Sequence, residues 1–87
     1  MEIFTLEQFY KLPIEKKCSL VTFNGVFLAS INLKKRKAFL FYLQGLFIEI
    51  WFSEKGIIQN VLAFNETKGL DLYAEVINID DLNEVIN

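Results

Sequence analysis

The chain has 87 residues, 53% of them hydrophobic and 23% charged, with nine Phe and a formal charge of −2. That composition excludes a disordered chain, which is poorer in aromatics and richer in charge, and the acidic balance weighs against a nucleic-acid coat protein. The length sets a single domain, 1–87, holding more apolar material than so small an interior can take, so part of it is expected at a surface that seeks a partner.

The first punctuation is Thr5-Leu-Glu-Gln8, a capping box in which the Thr5 hydroxyl and the Gln8 side chain satisfy each other's backbone N–H. Phe4 and Phe9 flank it as a hydrophobic staple. A first helix over 6–12 is expected, with Leu6, Phe9 and Tyr10 on one face. Pro13 ends it and opens a second helix, 13–24, where Ile14, Cys18 and Val21 recur at helical spacing. Asn24-Gly25 is the expected stop, with Gly25 in the left-handed conformation.

From Val26 the period changes from helical to two-residue alternation. Four strands are expected, at 26–33, 37–44, 46–53 and 57–64, joined by links at 34–36, 44–45 and 54–56. Links this short make neighbouring strands antiparallel. A two-residue turn at Gln44-Gly45 sets Leu43 opposite Leu46, Phe41 opposite Ile48 and Phe39 opposite Ile50. A bulge at Gly56 pairs Phe52 with Ile58, Ile50 with Asn60 and Ile48 with Leu62. A three-residue link at 34–36 pairs Leu33 with Lys37 and Ile31 with Phe39. One face then runs from Phe27, Ala29, Ile31 and Leu33 across to Ile58, Leu62 and Phe64, broken only by Asn60. A slip of one residue would turn a strand's apolar set to the wrong side, so this face is the one the helices should cover.

After Phe64 the helical period returns. Asn65 or Thr67 can cap, and Leu70, Tyr73, Ala74 and Ile77 form a stripe. Ile79-Asp-Asp-Leu82 is placed to start a last short turn. The expected fold is α+β and two-layered: a four-stranded antiparallel meander with N-terminal helices and a C-terminal helix, in the order α-α-β-β-β-β-α.

The opposite sheet face is expected to carry Leu40, Tyr42, Phe47, Glu49, Trp51 and Val61. A solvated sheet face normally alternates polar residues, and this one does not. Three uses compete for it: an interface with a second copy or another protein, a core beneath a C-terminal helix that crosses to that side, or a ligand groove walled by Trp51 and Tyr42. The first is the leading expectation, with Trp51 as anchor.

Chemistry is sparse. Cys18 is the single cysteine, which rules out an intrachain disulfide and favours a reducing, cytoplasmic setting. It reads as a small buried hydrophobe. With no His in the chain, a Cys–His nucleophile cannot be built. No glycine-rich phosphate loop, metal-ligand cluster or serine elbow is present, so no catalytic residue, metal or cofactor is expected. The opening residues lack a signal peptide's basic and apolar regions. The longest apolar stretch, 39–52, falls short of the ~17 residues of a spanning helix and is interrupted by Gln44, Gly45 and Glu49. The one basic run is Lys34, Lys35, Arg36 and Lys37, an edge-protecting solvated turn or, alternatively, a phosphate-binding hairpin.

Three segments together, Thr5–Pro13, Asn24–Leu28 and Leu43–Phe52, resemble a family of short, uncharacterised bacterial proteins. The resemblance implies a stand-alone bacterial cytoplasmic domain and carries no activity. The functional expectation is therefore a non-enzymatic interaction or regulatory module, homodimeric through the aromatic sheet face, with nucleic-acid binding or small-molecule carriage as alternatives.

Overall fold

The computed structural model describes residues 5–73. Helix α1 (Leu6–Tyr10) and helix α2 (Ile14–Asn24) precede strands β1 (Val26–Leu33), β2 (Arg36–Leu43), β3 (Leu46–Ser53) and β4 (Ile58–Phe64), and a 3-10 helix (Thr67–Tyr73) follows. The sheet is an antiparallel meander in the order β1-β2-β3-β4. The α+β class and the N-terminal helices agree with the sequence reading. The expected stripe positions Ala74 and Ile77, the last turn and the Phe4 half of the staple lie outside the described residues.

The start of α1 is set locally. The Gln8 N–H donates to the Thr5 hydroxyl at 3.1 Å, and the Thr5 N–H donates to the Gln8 side-chain oxygen at 3.0 Å. The helix is then tied to the far edge of the sheet. The Tyr10 hydroxyl donates to the Ala63 carbonyl at 2.9 Å and accepts from the Ala63 N–H at 2.8 Å. It thereby satisfies one residue of β4, the last strand of the described sheet. Pro13 is the N-cap of α2.

Gly25 ends α2 for a different reason from the one expected. Its backbone is extended, at φ −83° and ψ 163°, not left-handed. A Cβ there would stand 2.6 Å from the Val21 carbonyl oxygen. The position needs Gly because the chain leaves the helix pressed against its last turn.

The β2–β3 hairpin has the register read from the sequence: Leu43↔Leu46, Phe41↔Ile48, Phe39↔Ile50. Gln44 (φ 46°) and Gly45 (φ 90°) both take positive φ, as the tight primed hairpin turn requires. The β3–β4 turn is also as read, with Gly56 at φ 80° and the Ser53 N–H bonded to the Ile57 carbonyl at 2.8 Å.

Beyond that turn the register departs from expectation. A bulge follows Phe52↔Ile58, so that Trp51↔Asn60, Ile50↔Val61 and Ile48↔Ala63 become partners. Val61 therefore lies on the helix-covered face, while Asn60 and Leu62 turn to the other. The lone polar residue in the expected apolar row was the sign of this slip. The bulge removes Asn60 from the core, and its side-chain oxygen accepts from the Val61 N–H at 2.9 Å.

The β1–β2 link is also shorter than expected. Leu33 pairs with Arg36 and Ile31 with Ala38, leaving Lys34-Lys35 as a two-residue turn. Ala29, Ile31 and Leu33 move to the face opposite the helices, and a bulge at Leu28 returns Phe27 to a place opposite Phe41. Ser30 and Asn32 now point to the helix side.

Two cores result. On one face α1 and α2 bring Phe9 and Val21 against Leu43, Leu46, Ile48, Ile50, Val61 and Ala63. On the other, Leu70 and Tyr73 of the 3-10 helix pack on Ala29, Leu40 and Phe47. The arrangement expected from sequence, with every helix on one face, is thus corrected: the last described element crosses to the second face.

Candidate functional site

The residues read from the sequence as an interface are placed very differently from one another. Leu40, Phe47, Glu49 and Trp51 are buried, and Tyr42 is half-buried. Val61 is buried on the opposite face, against Ile50. The protein's own 3-10 helix supplies part of the cover. Phe47 lies between Tyr42, at 5.5 Å between ring centres, and Phe64, stacked at 5.6 Å. Gly69 passes so close to Phe64 that a Cβ would meet its ring at 2.6 Å. This part of the sheet is core, not the open dimer face expected from alternation.

Glu49 is accounted for by the same cover. The Tyr73 hydroxyl donates to its Oε2 at 2.8 Å in a buried setting. Burial first, then the bond to Glu49 and its charge, push the Tyr73 phenol well above the usual tyrosine range. Tyr73 is therefore a fixed neutral donor. The Arg36 guanidinium lies over the Trp51 ring, 4.8 Å from its centre.

An apolar groove stays open on the helix side, where the sequence reading expected core. Helix α2 has 11 residues and so runs about 16 Å, whereas eight-residue strands run about 26 Å. The helices cover the Leu43–Leu46 end and leave the other uncovered. There Phe27, Phe39, Phe41, Ile50, Phe52 and Thr22 line a groove of about 500 Å³. Phe27 is 55% exposed; Phe39, Phe41 and Phe52 are half-buried. The rings meet edge to face: Phe27–Phe39 at 6.0 Å, Phe27–Phe41 at 5.6 Å and Phe39–Phe52 at 5.3 Å.

This groove runs into a second depression of about 420 Å³, whose lining includes Lys34, Lys35, Arg36 and Lys37 and shares Phe39 and Phe52 with the first. The alternative site read from the sequence, the basic hairpin, is thereby joined to an aromatic surface. Lys37 reaches over the Phe39 ring, 5.8 Å from its centre. The sequence reading missed these four Phe as accessible residues. Helix length set against strand length was the signal that could have exposed them.

Among the described residues no group of three His, Cys, Asp or Glu side chains could hold a metal. Burial, then the Glu15 charge, raises the Cys18 thiol above its ordinary range against a smaller opposing effect of Lys17. The thiol is held protonated and half-buried at the edge of the α-side core. No described helix is long and apolar enough to cross a membrane. No family model, curated protein or solved structure matches the chain.

Proposed function

We propose that this chain is a non-enzymatic protein-interaction module that docks its partner in the Phe27–Phe39–Phe41–Phe52 groove. The observation carrying this reading is an open apolar groove lined by four Phe where the sheet extends past helix α2. A small monomer rarely leaves such a patch without a use. Its lining holds no acid, base or nucleophile beyond the Thr22 hydroxyl, which donates to the Cys18 carbonyl within α2. Covering about 200 Å² of this surface would contribute about 5 kcal/mol, close to the smaller estimates of the association cost. The groove alone thus supports modest affinity, as expected for a regulatory contact that forms and breaks.

The test is a random peptide library panned against the protein, with NMR mapping of the enriched peptides. Peptides that perturb Phe27, Phe39, Phe41 and Phe52 and no longer bind Phe27→Asp are the expected result. No enrichment, or perturbation confined to the Leu70–Tyr73 side, overturns the reading. Sedimentation of wild type beside Phe27→Asp asks whether a second copy can occupy the same groove. A dimer that persists in the variant places self-association elsewhere and counts against this face.

A further inference from the structure

Resting on the docking reading above, we infer that the groove's partner is an acidic amphipathic peptide segment, with apolar side chains among the four Phe and carboxylates on Lys34, Lys35 and Lys37. The geometry that carries this is continuity. Phe39 and Phe52 line both the apolar groove and the basic depression, so one bound segment can touch both at once.

The charges are available. Among the described residues Lys11 pairs with Glu7 on α1, and Lys34, Lys35 and Lys37 take part in no ion pair; Arg36 is engaged with Trp51 on the other face. Among the described residues Glu54 is the single carboxylate lining the basic depression, so the described rim is positive in a chain whose formal charge is −2. Such a rim accelerates encounter with a negatively charged partner and disfavours a basic one. It also supplies what the apolar groove lacks, since burial of the Phe surface by itself barely offsets the cost of association.

A single-stranded nucleic acid fits the same surface less well. Base recognition needs flat ring faces for stacking and polar groups for base edges. Here the rings turn their edges onto one another at 79°, 70° and 62°. The apolar groove offers the Thr22 hydroxyl as its one side-chain polar group, and that hydroxyl is bonded within α2.

The experiment uses a fluorescent amphipathic peptide with Leu and Phe on one face and Glu on the other, beside a counterpart in which every Glu is Gln. At low salt the acidic peptide should bind about tenfold more tightly than the Gln peptide, the sum of several exposed ion pairs. High salt should close that gap. Lys34→Glu with Lys35→Glu, both in the exposed turn, should abolish the gap while the Gln peptide binds as before; circular dichroism checks that the variant is folded. Equal binding of the two peptides by wild type overturns the inference and leaves the docking reading intact. Failure of both peptides and of all library peptides removes both. A single-stranded RNA oligomer that displaces the acidic peptide at lower concentration than the Gln peptide does also overturns it, and assigns the surface to nucleic acid.

Discussion

Two aromatic clusters lie back to back on this sheet, and they differ in what covers them. Where the 3-10 helix packs on the sheet, Phe47 of β3 and Tyr73 of that helix are at most 2% exposed, and the buried Glu49 carboxylate is held by the Tyr73 hydroxyl. On the reverse side Phe27 is 55% exposed, and Phe39 and Phe52 open toward the basic hairpin. The strand residues of both clusters come from two-residue alternation, which in β2 and β3 supplies Tyr42 and Phe47 to one face and Phe39, Phe41 and Phe52 to the other. Apolar alternation therefore marks surfaces suited to burial. Whether the chain buries them itself depends on where a limited length of helix is laid.

The sharpest way to break this comparison is a matched truncation. Phe47→Ala should cost about 3–5 kcal/mol, from lost burial and the cavity left behind. Phe27→Ala should cost less than about 1 kcal/mol, because half of that ring is already in water. Urea denaturation of both variants measures the difference. Similar losses would mean that the groove is core and the docking surface is wrongly placed.

A smaller effect sharpens the polar side of the comparison. Tyr73→Phe removes the donor to Glu49 and should cost about 2–3 kcal/mol. Adding Glu49→Leu should recover much of that loss, since an apolar pair needs no partner. The same bond makes a statement about pH. The folded phenol holds its proton more tightly than the unfolded one, whose ordinary value is 10.0. Its contribution is therefore complete below about pH 10 and declines as pH rises above that value. Tyr73→Phe should flatten the alkaline fall in melting temperature. An unchanged slope would show that the Tyr73–Glu49 bond does not govern it.

The smallest expected effect lies at the turn that sets both faces. Gln44 is held at φ 46°, and its side-chain oxygen is buried without a hydrogen-bond partner. Gln44→Asn suits the left-handed position better and should stabilise by about 0.5–1 kcal/mol. Thermal melts measure this, and peptide affinity should stay unchanged because Gln44 and Gly45 do not line the groove.

Much of the fold was legible because its determinants are local. Thr5 and Gln8 form a box between neighbours, Gln44-Gly45 forces one turn, and Gly56 permits another. The candidate site was less legible. Phe27, Phe39, Phe41 and Phe52 were read as core because their face was judged by sequence alternation alone. Leu40, Phe47 and Glu49 were read as open because nothing local reveals that Leu70 and Tyr73 cross to their side.

Short-range chemistry in the chain was enough to specify four strands, a capped first helix, a second helix opened by Pro13, and the β2–β3 register, since each depends on residues a few positions apart. The remaining choices required distant groups to meet. Asn60 left the core through a bulge only because Val61 and Ala63 fit Ile50 and Ile48 better. Ala29 and Ile31 changed sides because a two-residue turn placed them opposite Leu40 and Ala38. On its face the 3-10 helix buries Leu70 and Tyr73 against Leu40 and Phe47 and brings the Tyr73 hydroxyl to the buried Glu49 carboxylate. Such outcomes follow from competition for buried area and hydrogen bonds across the whole domain, and periodicity along one strand does not contain them.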